Sequence, residues 1–111
     1  MSKMDTTVVT KEMLEAARKI HGKVDVYSLD DAEGNTYGDI MLKVPSPKAL
    51  SEWEKWLDKD PMKSRRILVN ATLINRIEEI KEWPENSNEF YAAYNSATFM
   101  IPTGKGTLKK L

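Results

Sequence analysis

The sequence contains no cysteine and a single histidine among its 111 residues. The first absence excludes disulfides, thiolate zinc sites and cysteine nucleophiles, and it suits a reducing compartment. The second leaves His21 as the sole imidazole, at the end of a predicted helix where the helix dipole stabilises a cation, which is a structural role. No serine sits among the glycines of a nucleophile elbow, and no glycine-rich loop is built to cradle phosphate. Glu78 and Glu79 are adjacent on a predicted helix, so they point in different directions and form no acid/base dyad. These gaps predict a non-enzymatic protein without cofactor or metal. Net charge is also lacking: 17 Lys and Arg balance 17 Asp and Glu, leaving no overall field toward nucleic acid or an anionic membrane. No window approaches the roughly 18 consecutive apolar residues of a membrane span. Met1 to Thr7 lacks the basic-then-apolar pattern of a secretory signal, so the expected location is cytoplasmic.

What is present is one domain's length of chain, enough to bury roughly two-thirds of its unfolded surface. The most apolar stretch runs from Asp60 to Ile80. Asp60 is a helix cap with Pro61 at the first helical position, and Met62, Leu68, Ala71, Leu73 and Ile74 come after it without a breaker. A helix apolar on more than one face needs neighbours on more than one face. Before it, Thr10 caps a helix over Lys11–His21 with Met13, Leu14, Ala17 and Ile20 at helical spacing, and Gly22 ends it. Lys23–Leu29 and Thr36–Val44 alternate as two strands around the turn residues 30–35, with Ile40, Leu42 and Val44 on one face. Ser46 and Pro47 start a helix reaching about Lys59, whose apolar set is Leu50, Trp53, Trp56 and Leu57. Asn75 is read as the cap of a short helix from Arg76 to Trp83 carrying Ile77, Ile80 and Trp83. Asn86 and Glu89 have capping-box spacing ahead of a last helix over Ser87–Ile101, with Phe90, Ala93, Tyr94, Ala97 and Ile101 as its inner stripe. Small residues Ala92, Ala93, Ser96 and Ala97 allow close approach to the central helix. The expected fold class is α+β, mainly α-helical: a small β-hairpin, a compact bundle of about four helices, and an additional N-terminal helix. Residues 10–102 form a single globular domain, between a flexible N-terminus (1–9) and a flexible basic C-terminal tail (103–111).

Several patterns admit a binding role. Asp30, Asp31, Glu33 and Gly34 offer oxygen ligands for calcium, but they lack EF-hand spacing, and a solvated turn is the expected reading. Trp53 and Trp56 share a helical face, which makes them core or partner interface before it makes them base-stacking residues. Lys59, Lys63, Arg65 and Arg66 are the one basic cluster. Glu52, Glu54, Asp58 and Asp60 lie beside them, which favours a mixed-charge face over a phosphate site.

The order of elements in the second half carries a resemblance. Lys-Asp-Pro-Met-Lys at 59–63 comes after a Trp-containing helix, and a buried helix and a short acidic helix are next. Asn-Glu-Phe-Tyr-Ala-Ala-Tyr at 88–94 then leads to Phe99-Met-Ile-Pro and Leu108-Lys-Lys-Leu. Over residues 23–111 the chain resembles the small tail assembly chaperones of long-tailed bacteriophages and prophages. The resemblance implies a protein that coats the tape-measure protein, keeps its apolar surface soluble until tail-tube subunits polymerise, and forms homo-oligomers. Partner-binding residues are then expected at Trp53, Trp56, Met62, Phe99 and Met100, aromatic and methionine side chains that adapt to varied apolar targets. The family's frameshifted long forms make Lys109-Lys110 a candidate slippage site. Two rival classes are a regulatory or host-interaction protein of a mobile element, and a nucleic-acid-binding module using the basic cluster with the tryptophans.

Overall fold

Thr10 begins helix α1 (Lys11–His21): its side chain accepts from the Met13 amide, and Gly22 ends the helix at φ 79°, a left-handed conformation that a Cβ disfavours. The computed structural model describes residues 7–102; the basic tail with Lys109-Lys110 and residues 1–6 lie outside that range. Among the described residues there are five helices and one antiparallel hairpin, the α+β, mainly helical architecture expected. None of these helices is long and apolar enough to cross a membrane.

Strands β1 (Val24–Asp30) and β2 (Thr36–Lys43) pair with Tyr27 opposite Ile40, and an irregularity between Leu29 and Asp30 shifts the register. The pleat splits the hairpin's side chains between two clusters. On one face Leu29, Tyr37, Ile40 and Leu42 join the main core with Leu68, Val69, Leu73, Ile80, Phe90, Ala93, Ala97 and Met100. On the other, Val24 and Met41 pack with Ala17 of α1, supported by Val9, Leu14, Val26 and Ile74. Met13 and Ile20, expected on the inner face of α1, are exposed instead, because α1 packs chiefly on β1 and one narrow stripe centred on Ala17 makes that contact. Val44 lies past the end of β2 and is likewise exposed.

Helix α2 (Pro47–Trp56) is capped by Ser46 and ends one turn earlier than expected. The Leu57 amide turns back to Glu54, and the chain then redirects so that Asp60 can cap α3 (Pro61–Thr72). Helix α3 packs against both α2 and α5 (Asn88–Thr98), as its two-faced apolarity requires. It buries two hydroxyls, Ser64 and Thr72, each donating to a carbonyl of its own helix. Ser87, not Asn86, caps α5 by accepting from the Phe90 amide, and the helix closes at Thr98.

The segment after α3 departs most from expectation. Asn75 caps nothing: its side-chain oxygen accepts the Met41 amide at 2.8 Å, and the Ile74 amide donates to the Met41 carbonyl at 3.0 Å. With the bridge between Leu42 and Leu73, residues 73–75 line the outer edge of β2. The start of α4 (Ile77–Lys81) falls to Arg76, which adopts φ 57° without a side-chain cap. Its guanidinium donates to the carbonyls of Tyr37 and Asp39 and pairs with Glu79. Ile77 is exposed, so Ile80 alone anchors this short helix as a fully buried residue. The same β2 edge receives residues 7–9, which belong to the segment expected to be flexible. Asp39 donates its amide to the Thr7 carbonyl, and its carboxylate accepts the Val9 amide.

Candidate protein-interaction surface

The first turns of α3 decide which side chains reach solvent. Ser64 and Leu68 occupy the inner face at i, i+4, so Met62, Lys63 and Arg65 are directed elsewhere. Lys63 Nζ lies 3.6 Å from the centroid of the half-buried Trp56 ring, a cation–π contact. Arg65 extends over α5, its guanidinium carbon 5.6 Å from the Tyr91 ring and 5.7 Å from that of Tyr94. The Tyr94 hydroxyl accepts from Trp53 Nε1 at 3.3 Å. Trp53, Arg65, Tyr91 and Tyr94 therefore form one continuous seam across α2, α3 and α5, with Met62 beside it.

Tyr91 is 54% exposed and stands between two shallow open clefts. One, of about 240 Å³, is lined by Met62, Arg65 and Tyr91 together with residues 85–88. The other, of about 320 Å³, has Asp30, Asp31 and Asn95 on its walls. The Tyr91 ring thus projects between a mixed wall carrying Arg65 and Glu85 and an anionic wall carrying Asp30 and Asp31.

The anionic wall is held rigidly. Asp31 accepts from the amides of Glu33 and Asn35, from the Asn35 side chain, and from the Tyr37 hydroxyl. These bonds, the one from Tyr37 foremost, lower the Asp31 carboxyl from its ordinary 3.8 to about 2, while the same bond raises Tyr37 to about 12. The acidic turn therefore satisfies its own carboxylate, as an Asx-type turn does. Among the described residues no three His, Asp or Glu side chains gather as a metal-holding group.

The five residues expected to bind a partner separate. Trp56 and Met62 lie on the α2/α3 side, Met62 at 43% exposure. Trp53 packs partly against the main core and supports the seam from beneath. Phe99 is 70% exposed at the far end of α5, stacked on Tyr27 with centroids 6.2 Å apart. Met100 is buried at 2% exposure, its sulfur 3.7 Å from the Tyr27 hydroxyl that donates to it, so it is core and not surface. The reason is local: α5 ends at Thr98, and the turn after it sends Phe99 outward and Met100 back inward. The basic cluster also divides. Arg66 pairs with Glu85 at 2.9 Å, donates to the carbonyls of Ile80 and Trp83, and lies 4.1 Å over Phe90. That bond from Arg66 holds the Glu85 carboxyl below its usual range. Arg66 is thus a brace between α3 and the α4–α5 connection. The hydrophobic periodicity does not single out Tyr91, which sits one position off the inner stripe, between Phe90 and Ala92. The signal was there, an aromatic on a helix's outer face beside a basic neighbour.

Comparison with models of protein families, with characterised proteins and with solved structures finds no match to this chain.

Proposed function

We propose that this chain is a non-enzymatic tail assembly chaperone of a phage or prophage, acting in the bacterial cytoplasm and binding the tape-measure protein through the α3–α5 surface. The observation that carries the reading is the exposed Tyr91 flanked by Met62 and Arg65. The resemblance of its sequence of elements over residues 23–111 to such chaperones supports it. A tape-measure protein is a long helix with apolar anchors, and a helix of that kind is received by a shallow groove with adaptable side chains. Methionine conforms to varied apolar shapes, and an arginine over aromatic rings tolerates a helix's mixed charges. The chaperone's association with itself and contact with tail-tube subunits belong to the same proposal.

The test is co-expression with the long coiled-coil protein encoded nearby, followed by affinity capture. The expected outcome is a soluble complex with several copies of this chain per partner. The M62E/Y91E double variant, substituted at exposed positions, lowers capture at least about tenfold while the helical circular dichroism is unchanged. A partner equally soluble without this chain would sink the reading.

A further inference from the structure

The two edges of the hairpin are treated differently. Met41 turns both its N–H and its C=O away from β1, toward Asn75 and Ile74, and Asp39 does the same toward Thr7 and Arg76. In an antiparallel ladder, residues facing each other in a non-hydrogen-bonded pair both direct their backbone groups outward. The residues opposite Met41 and Asp39 are Val26 and Ser28. Val26 and Ser28 therefore point N–H and C=O at the outer edge of β1. Two residues earlier, the Val24 carbonyl on that edge accepts from Arg18 Nε at 3.2 Å. Among the described residues nothing bonds to the backbone of Val26 or Ser28 on that side. Of the usual guards of an open edge β1 carries little: it has no proline and no lysine, its charges are Asp25 and Asp30, and its one irregularity lies at the strand's end, between Leu29 and Asp30.

We propose that β1 pairs antiparallel with β1 of a second copy of this chain, about a two-fold axis at Tyr27, so that two hairpins join into a four-stranded sheet. The outward groups of Val26 and Ser28 allow three such symmetric registers, centred on Val26, Tyr27 or Ser28. Centring on Ser28 sets Asp25 against Asp31 of the second copy, a like-charge pair. Centring on Val26 overlaps only Val24–Ser28. The register at Tyr27 overlaps the whole strand. Val26 then exchanges both backbone bonds with Ser28 of the second copy, and Asp25 faces Leu29, so no carboxylate opposes another. The two Tyr27 rings meet in a non-hydrogen-bonded pair, where side chains come closest. Phe99, exposed and stacked on Tyr27, is the apolar cover that such a junction needs. The proposal names the surface of self-association and rests on the hairpin's edge geometry and the side chains beside it, so it stands or falls separately from tape-measure binding.

Amide hydrogen exchange by NMR on the full chain, with sedimentation on the same samples, tests it. Asp25, Tyr27 and Leu29, bonded to β2, are protected at every concentration. Val26 and Ser28 gain at least about tenfold protection as dimer forms, one hydrogen bond per amide being sufficient for that. V26P returns the protein to monomer and keeps the β1–β2 ladder, to which the Val26 N–H does not contribute. F99K, at an exposed position, weakens dimerisation about tenfold through one buried ring and covers the case of a proline variant that does not fold. Four outcomes overturn the proposal. They are a dimer in which Val26 and Ser28 stay unprotected, a monomer with free exchange at all concentrations, protection independent of concentration, which would place a segment of the same chain on the edge, and protection that needs another polypeptide.

Discussion

Asp31 shows how one side chain can organise a turn and leave a signature in solution. Its carboxyl is lowered to about 2 from 3.8 by bonds made only in the folded state, the one from Tyr37 first among them. A depressed folded pKa contributes stability above the unfolded value and loses it as pH falls toward the folded one. Stability therefore declines between about pH 4 and pH 2. The raised Tyr37 hydroxyl acts at the other limit: the unfolded state releases its proton first, so stability falls as pH rises from 10 to about 12. Urea midpoints measured across both windows check this, and D31N is expected to flatten both slopes, because the two shifts share one bond. The acidic turn was legible as a turn. Its hydrogen-bond partner Tyr37 was not, since the register shift near Asp30 that brings it there leaves no mark in the hydrophobic alternation.

At the scale of elements, local chemistry was readable and distant chemistry was not. Thr10, Ser46 and Asp60 cap their helices as read, because a cap bonds an amide three residues ahead and the whole interaction lies within one turn. Asn75 has the residue type and position of a cap, yet its oxygen serves Met41, 34 residues away, in an interaction no local pattern encodes. N75A is expected to cost about 1–3 kcal/mol by stranding the buried Met41 amide. Chemical denaturation gives the magnitude, and amide exchange distinguishes the cause: loss of a cap would leave Met41 protection unchanged, whereas loss of the edge bond removes it. The same reasoning separates the partner-binding residues. Met62 reaches the surface because its helix face is set by the buried Ser64 and Leu68, whereas Phe99 and Met100 take opposite sides despite their adjacency, since the helix stops one residue before them.

Taken whole, the described molecule is a hairpin with α1 on one face and the helices of the main core on the other. The main core joins five elements, β1, β2, α3, α4 and α5, whereas α1 holds to the hairpin through Ala17, Leu14 and the bond from Arg18 to Val24. A17D buries a carboxylate without a partner and is expected to release α1, costing roughly 1–3 kcal/mol. Exchange should then quicken throughout Lys11–His21 while the core amides of Leu68 and Ala93 keep their protection; equal loss everywhere would show that the two clusters unfold as one.

The closure of the β2 edge also sets an order on synthesis. A chain emerging N-terminus first exposes Met41 and Asp39 well before Asn75 and Arg76 exist to meet them. Until then the nascent hairpin lacks the residues that complete its β2 edge, and its apolar face has no α3 or α5 to cover it. Until synthesis passes residue 76 the β2 edge is met only by residues 7–9 and the hairpin is covered only by α1, so the nascent chain presents a half-covered ribbon that later residues convert into a one-edged sheet.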